Sequence, residues 1–362
     1  MSTVTPSSGE TSFLQLAEPL ALEGGAQLQD ATLAYRTWGR LDAARDNAVL
    51  VCHALTGSPD VDQWWPGLFG PGRALDPTRD FILCSNVLGG CYGSTGPGDI
   101  NPATGRRYGS AFPAISVRDM VRAQARLLDA LNITRLALVI GGSLGGMQAL
   151  EWAALYPERV GSMVSIGCGV RQSPWAIAWS EAQRQAIFAD ANWRGGDYAP
   201  AAPPAAGLAA ARAMAMVSYR HWREFQHRFD RKRDDNGRFQ IESWLQHHGE
   251  RLVRRFDAAS YVTLTRAMDT HDLARDRGEL SSVNVPALVV SIVSDLLYPL
   301  AEQQEFVALL PHAELEVLDS PHGHDAFLIE TGHVNRLVLE FRAPRVQAPT
   351  LRRIQESRPC LP

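Results

Sequence analysis

Short apolar segments recur along the chain, separated by polar and turn-forming stretches. The segments 48–52, 81–84, 160–166, 287–293 and 314–318 read as strands, and 31–37 alternates as a further strand does. The run 136–140 is wholly apolar, the mark of a central parallel strand covered on both faces. Between these lie helical periodicities. Over 117–131 the apolar positions Met120, Val121, Ala125, Leu127, Leu128 and Leu131 form one face, with Ser116 as N-cap and Asp119 in the first turn. Helices are also expected over 147–156, around 301–310, and from about 326 to 341. Strand, turn, helix and strand within about 30 residues around position 145 make a βαβ unit.

The pattern changes after Gly169. From 171 to about 278 it is helical and rich in Trp, Ala, Arg and His, with a Pro/Ala-rich break at 199–206 and no strand-like run. This predicts an α/β core in two parts, 13–170 and 279–343, with an inserted helical lid over 171–278. The ends, 1–12 and 344–362, read as loose tails. The Gly/Pro-rich stretch 86–108 is too polar for core and reads as an ordered surface or site loop.

Composition narrows the function classes. The 362 residues are 45% apolar and 20% charged with a net charge of −4, which forecasts neither nucleic acid nor a membrane surface as partner. Lys232 is the only lysine. Such arginine preference reflects base composition or, alternatively, carboxylate and phosphate recognition. Five scattered cysteines without a CxxC pair argue against a disulfide framework and a zinc site; Cys52 and Cys84 read as buried thiols, while Cys91 sits in a glycine-rich loop. No metal site is expected. The start of the chain shows no signal-peptide pattern and no run has membrane-spanning length, which points to a cytoplasmic setting.

The strongest chemical signal is Gly141-Gly142-Ser143-Leu144-Gly145. It fits G-x-S-x-G between an apolar strand and a helix, the nucleophile elbow of the α/β-hydrolase fold. Glycine is needed two residues either side because the turn leaves no room for side chains there. A serine hydroxyl needs a general base oriented by a carboxylate, in the chain order Ser, acid, His in this fold. Asp295 follows the strand at 287–293 and fills the acid position. His322 and His324 both follow the strand at 314–318, and spacing alone does not separate them. His53 precedes the serine, the wrong order, and reads as a wall or loop-bracing residue. The oxyanion donors expected are the Leu144 N–H and, from the loop 53–57, the Leu55 N–H.

Together, His53-Ala54-Leu55-Thr56-Gly57, Asn86-Val87-Leu88-Gly89-Gly90-Cys91, Ser94-Thr95-Gly96-Pro97, the GGSLGGMQALEW segment from Gly141 to Trp152, and Gly323-His324-Asp325-Ala326-Phe327 resemble the homoserine O-acyltransferase family. The likeness runs from about 31 to 339. It implies ping-pong chemistry: Ser143 takes an acyl group from acyl-CoA, the co-substrate, and passes it to an amino-acid side-chain hydroxyl, with no resident cofactor. It implies His324 as base, Arg212 for the substrate α-carboxylate, Asp325 for the α-ammonium, Tyr219 lining the site, and a homodimer joined through lid helices. Gln185 is the candidate for the acyl pocket.

Acetylating homoserine enzymes usually read HALTGDAHV and GTTGPSS, often with Met after the nucleophile. Here the loop continues Ser58-Pro59-Asp60-Val61, the second reads Gly93-Ser94-Thr95-Gly96-Pro97-Gly98-Asp99, and Leu144 follows the serine. These departures resemble the branch making O-succinyl-L-serine for cysteine synthesis. The expectation is therefore succinyl-CoA with L-serine. The alternative is homoserine O-acetyl- or O-succinyltransfer for methionine synthesis. An esterase or thioesterase with the same triad, and a non-catalytic scaffold, are the competing classes.

Overall fold

A computed structural model describes residues 10–276, 280 and 283–343. Eight strands form one sheet: β1 (Ser12–Gln15), β2 (Thr32–Trp38), β3 (Ala48–Cys52), β4 (Phe81–Ser85), β5 (Leu138–Gly142), β6 (Met163–Ile166), β7 (Ala287–Ile292) and β8 (Ala313–Leu318). Their order is β1-β2-β4-β3-β5-β6-β7-β8. The pairs β1–β2 and β2–β4 are antiparallel, and from β4 onward the sheet is parallel.

Every residue of β3 to β7 is buried, because the sheet is covered on both faces. Side-chain alternation sorts each strand between two cores. In β3, Ala48, Leu50 and Cys52 join the core on one face, and Val49 and Val51 join the other, which is built on Trp65, Leu68, Val334 and Val338. In edge strand β8 only the last residue, Leu318, is buried; the other five are partly buried or exposed.

Helix α1 (Val117–Ala130) starts as its sequence dictates. The Ser116 hydroxyl accepts from the Asp119 N–H at 3.2 Å, and the Asp119 carboxylate accepts from the Ser116 N–H at 2.9 Å, a reciprocal capping box. Helix α2 (Leu144–Leu155) begins directly after Ser143, three residues earlier than periodicity predicts. The strands around it also shift: β5 runs on through the glycines to Gly142, and β6 is shorter than the apolar run.

Between β6 and β7 the chain forms α3 (Pro174–Phe188), α4 (Ala205–Tyr219), α5 (Trp222–Arg228), α6 (Gln240–Val253) and α7 (Ala258–Asp269). Helix α4 packs between α3 and α6. The neck of this helical insertion is stitched by Gln172 N–H to His271 O (2.9 Å) and Leu273 N–H to Val170 O (2.7 Å). Trp193 and Trp244 sit in aromatic clusters inside the insertion, whereas Trp175 and Trp222 are exposed.

After β7 come α8 (Leu300–Ala308) and, after β8, a final helical region that differs from the single helix expected over 326–341. A short helix, Ala326–Ile329, breaks at Glu330 before α9 (Thr331–Arg342). The Phe327 carbonyl, which a continuous helix would use internally, instead accepts from the Trp65 indole N–H at 2.9 Å. The predicted loop 86–108 is largely buried up to Pro97 and then carries a small hairpin, Ile100–Asn101 with Arg106–Arg107. Residues 10–12 are described, with Ser12 opening β1; the rest of the expected N-terminal tail and all of the expected C-terminal tail lie outside the described residues. No helix of the described residues is long and apolar enough to cross a membrane.

Replacing Ser116 by Ala removes one half of the α1 capping box. The expected loss is about 1 kcal/mol in urea unfolding. An unchanged midpoint would show that the cap contributes nothing.

Candidate active site

The chain turns at Ser143 with φ 56° and ψ −125°, a left-handed conformation that costs a non-glycine residue about 1–3 kcal/mol. Its neighbours hold it there. The Ser143 N–H donates to Ile166 O at 2.8 Å, and Ser143 O accepts from Met147 N–H at 3.0 Å. The flanking glycines are demanded by space. A Cβ on Gly145 would lie 2.1 Å from the Cys52 carbonyl oxygen, and one on Gly141 would lie 2.3 Å from the Gly145 carbonyl carbon. Ser143 therefore stands at the head of α2, whose first N–H groups, Leu144 included, lack partners within the helix and carry its positive end. Its side chain is nearly buried, at 6% exposure.

The predicted acid and base follow β7 and β8, the last two strands of the sheet. Asp295 follows β7 and accepts three hydrogen bonds: Oδ1 from the Leu297 and Tyr298 N–H groups at 2.8 and 3.0 Å, Oδ2 from His324 Nδ1 at 2.7 Å. His324 follows β8 and is 2% exposed. The two loops are tied by Ser294, whose hydroxyl donates to Ser320 O (2.6 Å) and accepts from Gly323 N–H (2.9 Å). His324 Nε2 is buried and has no hydrogen-bond partner, so it is not bonded to the Ser143 hydroxyl in this state. Such links are commonly longer without ligand.

The geometry separates the two histidines that spacing leaves open. His322 lies 3.4 Å from Glu224 and 3.8 Å from Glu330, away from Asp295. Burial alone would lower the His324 pKa. The charge and hydrogen bond of Asp295, with Asp325 adding to them, outweigh that and raise it above the ordinary imidazole value.

His53 is a bracing residue. Its Nδ1 meets Ala54 O at 2.8 Å, and its Nε2 meets Val87 N–H and the Asn86 side chain, each at 3.1 Å. Burial holds its pKa below the ordinary value, so it stays neutral. This fixes the loop carrying Leu55 against the end of β4.

On the lid side, Tyr219 ends α4 with its ring centroid 5.4 Å from that of His324. Burial pushes its hydroxyl up to about 12, so it remains a donor. The Arg212 guanidinium lies 5.7 Å from the Tyr219 ring. Arg212 also lines a cleft of about 870 Å³ with Thr56, Gly57, Tyr92, Arg251 and Arg255. Burial, followed by Arg212 and other cations, lowers the His248 pKa in this cleft to about 4. Asp325 is ion-paired at 3.0 Å with Arg220, whose guanidinium also donates to both oxygens of Glu224.

Gln185 is the predicted site residue that the fold carries away. Gln183 and Ile187 face inward on α3, so the helical period turns Gln185 outward, where it is exposed and bonded to Glu181. Sequence reasoning missed Tyr298, which is fully buried with its ring 5.4 Å from His324 and its N–H on Asp295. Its place three residues after Asp295 was the available signal. Among the described residues no group of three or more His, Cys, Asp or Glu side chains is arranged to hold a metal.

The chain is similar to known proteins in sequence and fold. The model of the alpha/beta hydrolase fold family matches residues 47–331. The homoserine O-acetyltransferase of Trichormus variabilis is 56% identical over 339 residues, covering 92% of this chain and 94% of its own. Among solved structures, homoserine O-acetyltransferase from Bacillus anthracis superposes with a TM-score of 0.87 at 26% identity, covering 94% of this chain and 99% of its own. The esterase E22 superposes with a TM-score of 0.84, also at 26% identity, covering 92% of this chain and all of its own. With its elbow, its buried Asp–His pair and this degree of likeness, the chain belongs to the homoserine O-acetyltransferase family of the α/β-hydrolase fold.

Proposed function

We propose that the protein transfers an acetyl group from acetyl-CoA to the side-chain hydroxyl of L-homoserine through an acyl-Ser143 intermediate. The observation that carries this reading is the buried Asp295–His324 pair beside the Ser143 elbow, in a chain 56% identical to a homoserine O-acetyltransferase. This choice of donor and acceptor departs from the one expected from the loop sequences, because the similar curated relatives carry the homoserine acetyltransferase name.

In the first half-reaction His324 Nε2 takes the Ser143 proton as the oxygen attacks the thioester carbonyl. Asp295 holds the ring and stabilises the imidazolium. The Leu144 and Leu55 N–H groups receive the developing oxyanion. Collapse breaks the carbon–sulfur bond, and the imidazolium proton leaves on the CoA thiol. In the second half, His324 takes the acceptor's hydroxyl proton, that oxygen attacks the acyl-serine, and the proton returns to Ser143. Arg212 suits the acceptor's α-carboxylate, since its planar fork fits two oxygens. Asp325 suits the α-ammonium, being a carboxylate close enough to His324 and Tyr219 to act on both electrostatically. Tyr219 forms the wall between them and His324. The arginines of the cleft suit the anionic parts of acyl-CoA.

A second reading, succinyl transfer to L-serine, is favoured by the Ser58-Pro59-Asp60 loop and by Arg251 in the cleft, a cation suited to a terminal carboxylate. Simple ester hydrolysis is the reading that the E22 likeness favours.

Release of CoA should be measured with acetyl-CoA or succinyl-CoA, each with L-homoserine, L-serine or no acceptor. Fastest release with acetyl-CoA and homoserine is expected. A preference for succinyl-CoA and serine would replace that assignment with the second reading, and release indifferent to acceptor would sink acyl transfer. Ser143→Ala should lower turnover by about 10⁴-fold or more.

His324 must be neutral to act as base, so activity falls as pH drops through its raised pKa. The acid limb of kcat/KM for the acyl donor is expected above the usual imidazole value of about 6.5. Asp325→Asn should move that limb to lower pH by removing a nearby negative charge. A limb unmoved in this variant would contradict the electrostatic account.

A further inference from the structure

Helix α2 is buried along almost its whole length and apolar apart from Gln148 and Glu151. Gln148 is completely buried, and each of its polar atoms is engaged. Its Nε2 donates to the His53 carbonyl at 3.3 Å and to the Leu144 carbonyl at 3.1 Å. Its Oε1 accepts from Gln124 Nε2 at 2.8 Å. Gln124, on α1, is held in turn: Nε2 also donates to the Ser85 hydroxyl at 3.2 Å, and Oε1 accepts from the Trp152 indole at 2.7 Å. Trp152 is completely buried and Gln124 is 2% exposed.

An amide in an apolar interior costs stability unless it is satisfied, and a fully satisfied network fixes one arrangement against others. What this network fixes is specific. The His53 carbonyl opens the loop that carries Leu55, and the Leu144 carbonyl belongs to the other oxyanion donor's residue. One amide group thus spans the two backbone segments whose N–H groups face the oxyanion in the proposed reaction. His53 is also braced through its ring by Asn86 and Val87. The loop is therefore held at its ring and at its carbonyl.

We infer that Gln148 is a positioning residue that sets the spacing of the two oxyanion donors, with Gln124 and Trp152 holding its amide in place. The inference rests on the acyl-Ser143 reading and extends it. Gln148 acts before any substrate binds and touches none. Its contribution is felt only where negative charge develops, so it raises the rate of acyl transfer without strengthening ground-state binding.

Gln148→Met keeps the length of the side chain and removes both donors. In the folded variant, kcat should fall by about 100-fold, the size of effect a misplacement near 1 Å produces. The KM for acetyl-CoA should change little. Affinity for an alkylboronic acid, which forms a tetrahedral adduct on Ser143, should fall in parallel with kcat. Affinity for desulfo-CoA, a ground-state mimic without the thioester, should hold. A folded variant with unchanged kcat and unchanged boronate affinity would overturn the inference, as would equal losses in boronate and desulfo-CoA binding. Should Gln148→Met fail to fold by circular dichroism, Trp152→Phe carries the test, since it removes the far donor and keeps an aromatic ring there. A parallel loss of kcat and boronate affinity in it supports the inference, and no loss overturns it. Wild-type enzyme that binds the boronate but transfers no acyl group would defeat the proposed function, while the boronate series would still judge Gln148.

Discussion

No side chain fits between the end of β3 and the start of α2. The Cys52 carbonyl lies where a Cβ of Gly145 would be, and Gly145 in turn crowds Gly141. This contact forces the sharp turn at Ser143 and seats the elbow against the loop beginning at His53. Two backbone segments distant in sequence thus meet at one point. The strain at Ser143 is held by hydrogen bonds to Ile166 and Met147, which belong to the sheet and the helix rather than to a flexible loop. In the proposed reaction a serine mounted this way needs little reorganisation.

The rest of the site is organised around that fixed point. Strands β5, β7 and β8 end on the same side of the parallel sheet, which puts Ser143, Asp295 and His324 at the edge where such sheets carry their chemistry. The histidine loop is also locked to the lid. A Cβ on Gly323 would lie 2.6 Å from the Tyr219 carbonyl oxygen, and Gly323 adopts φ +66°. The next residues continue the join: His324 lies beside the Tyr219 ring, and Asp325 pairs with Arg220. The end of α4 therefore covers His324 with the Tyr219 ring.

Much of this was readable from the chain. The all-apolar strands, the elbow glycines and the Ser116 cap each have a local cause, and local causes leave local patterns. The helical insertion announced itself by losing strand periodicity after Gly169. What the sequence did not reveal depends on contacts between distant segments. Spacing leaves His322 and His324 open and the resemblance points to His324; the contact with Asp295 separates them by geometry. The break at Glu330 arises because Trp65, over 260 residues away, takes a helix carbonyl. Gln185 and Gln183 sit two residues apart on one helix, and only the packing of α3 decides which faces in. Tyr298 and Gln148 belong to no short catalytic motif, and their roles emerge from the partners they reach.

The account depends on Ser143 carrying the acyl group between two half-reactions. Mass spectrometry of enzyme quenched after mixing with acetyl-CoA alone tests this directly. The account predicts one added acetyl group, located on the peptide containing Ser143, that disappears when L-homoserine is added before the quench. Absence of any adduct while acylated product still forms would mean direct transfer between bound substrates and would contradict it.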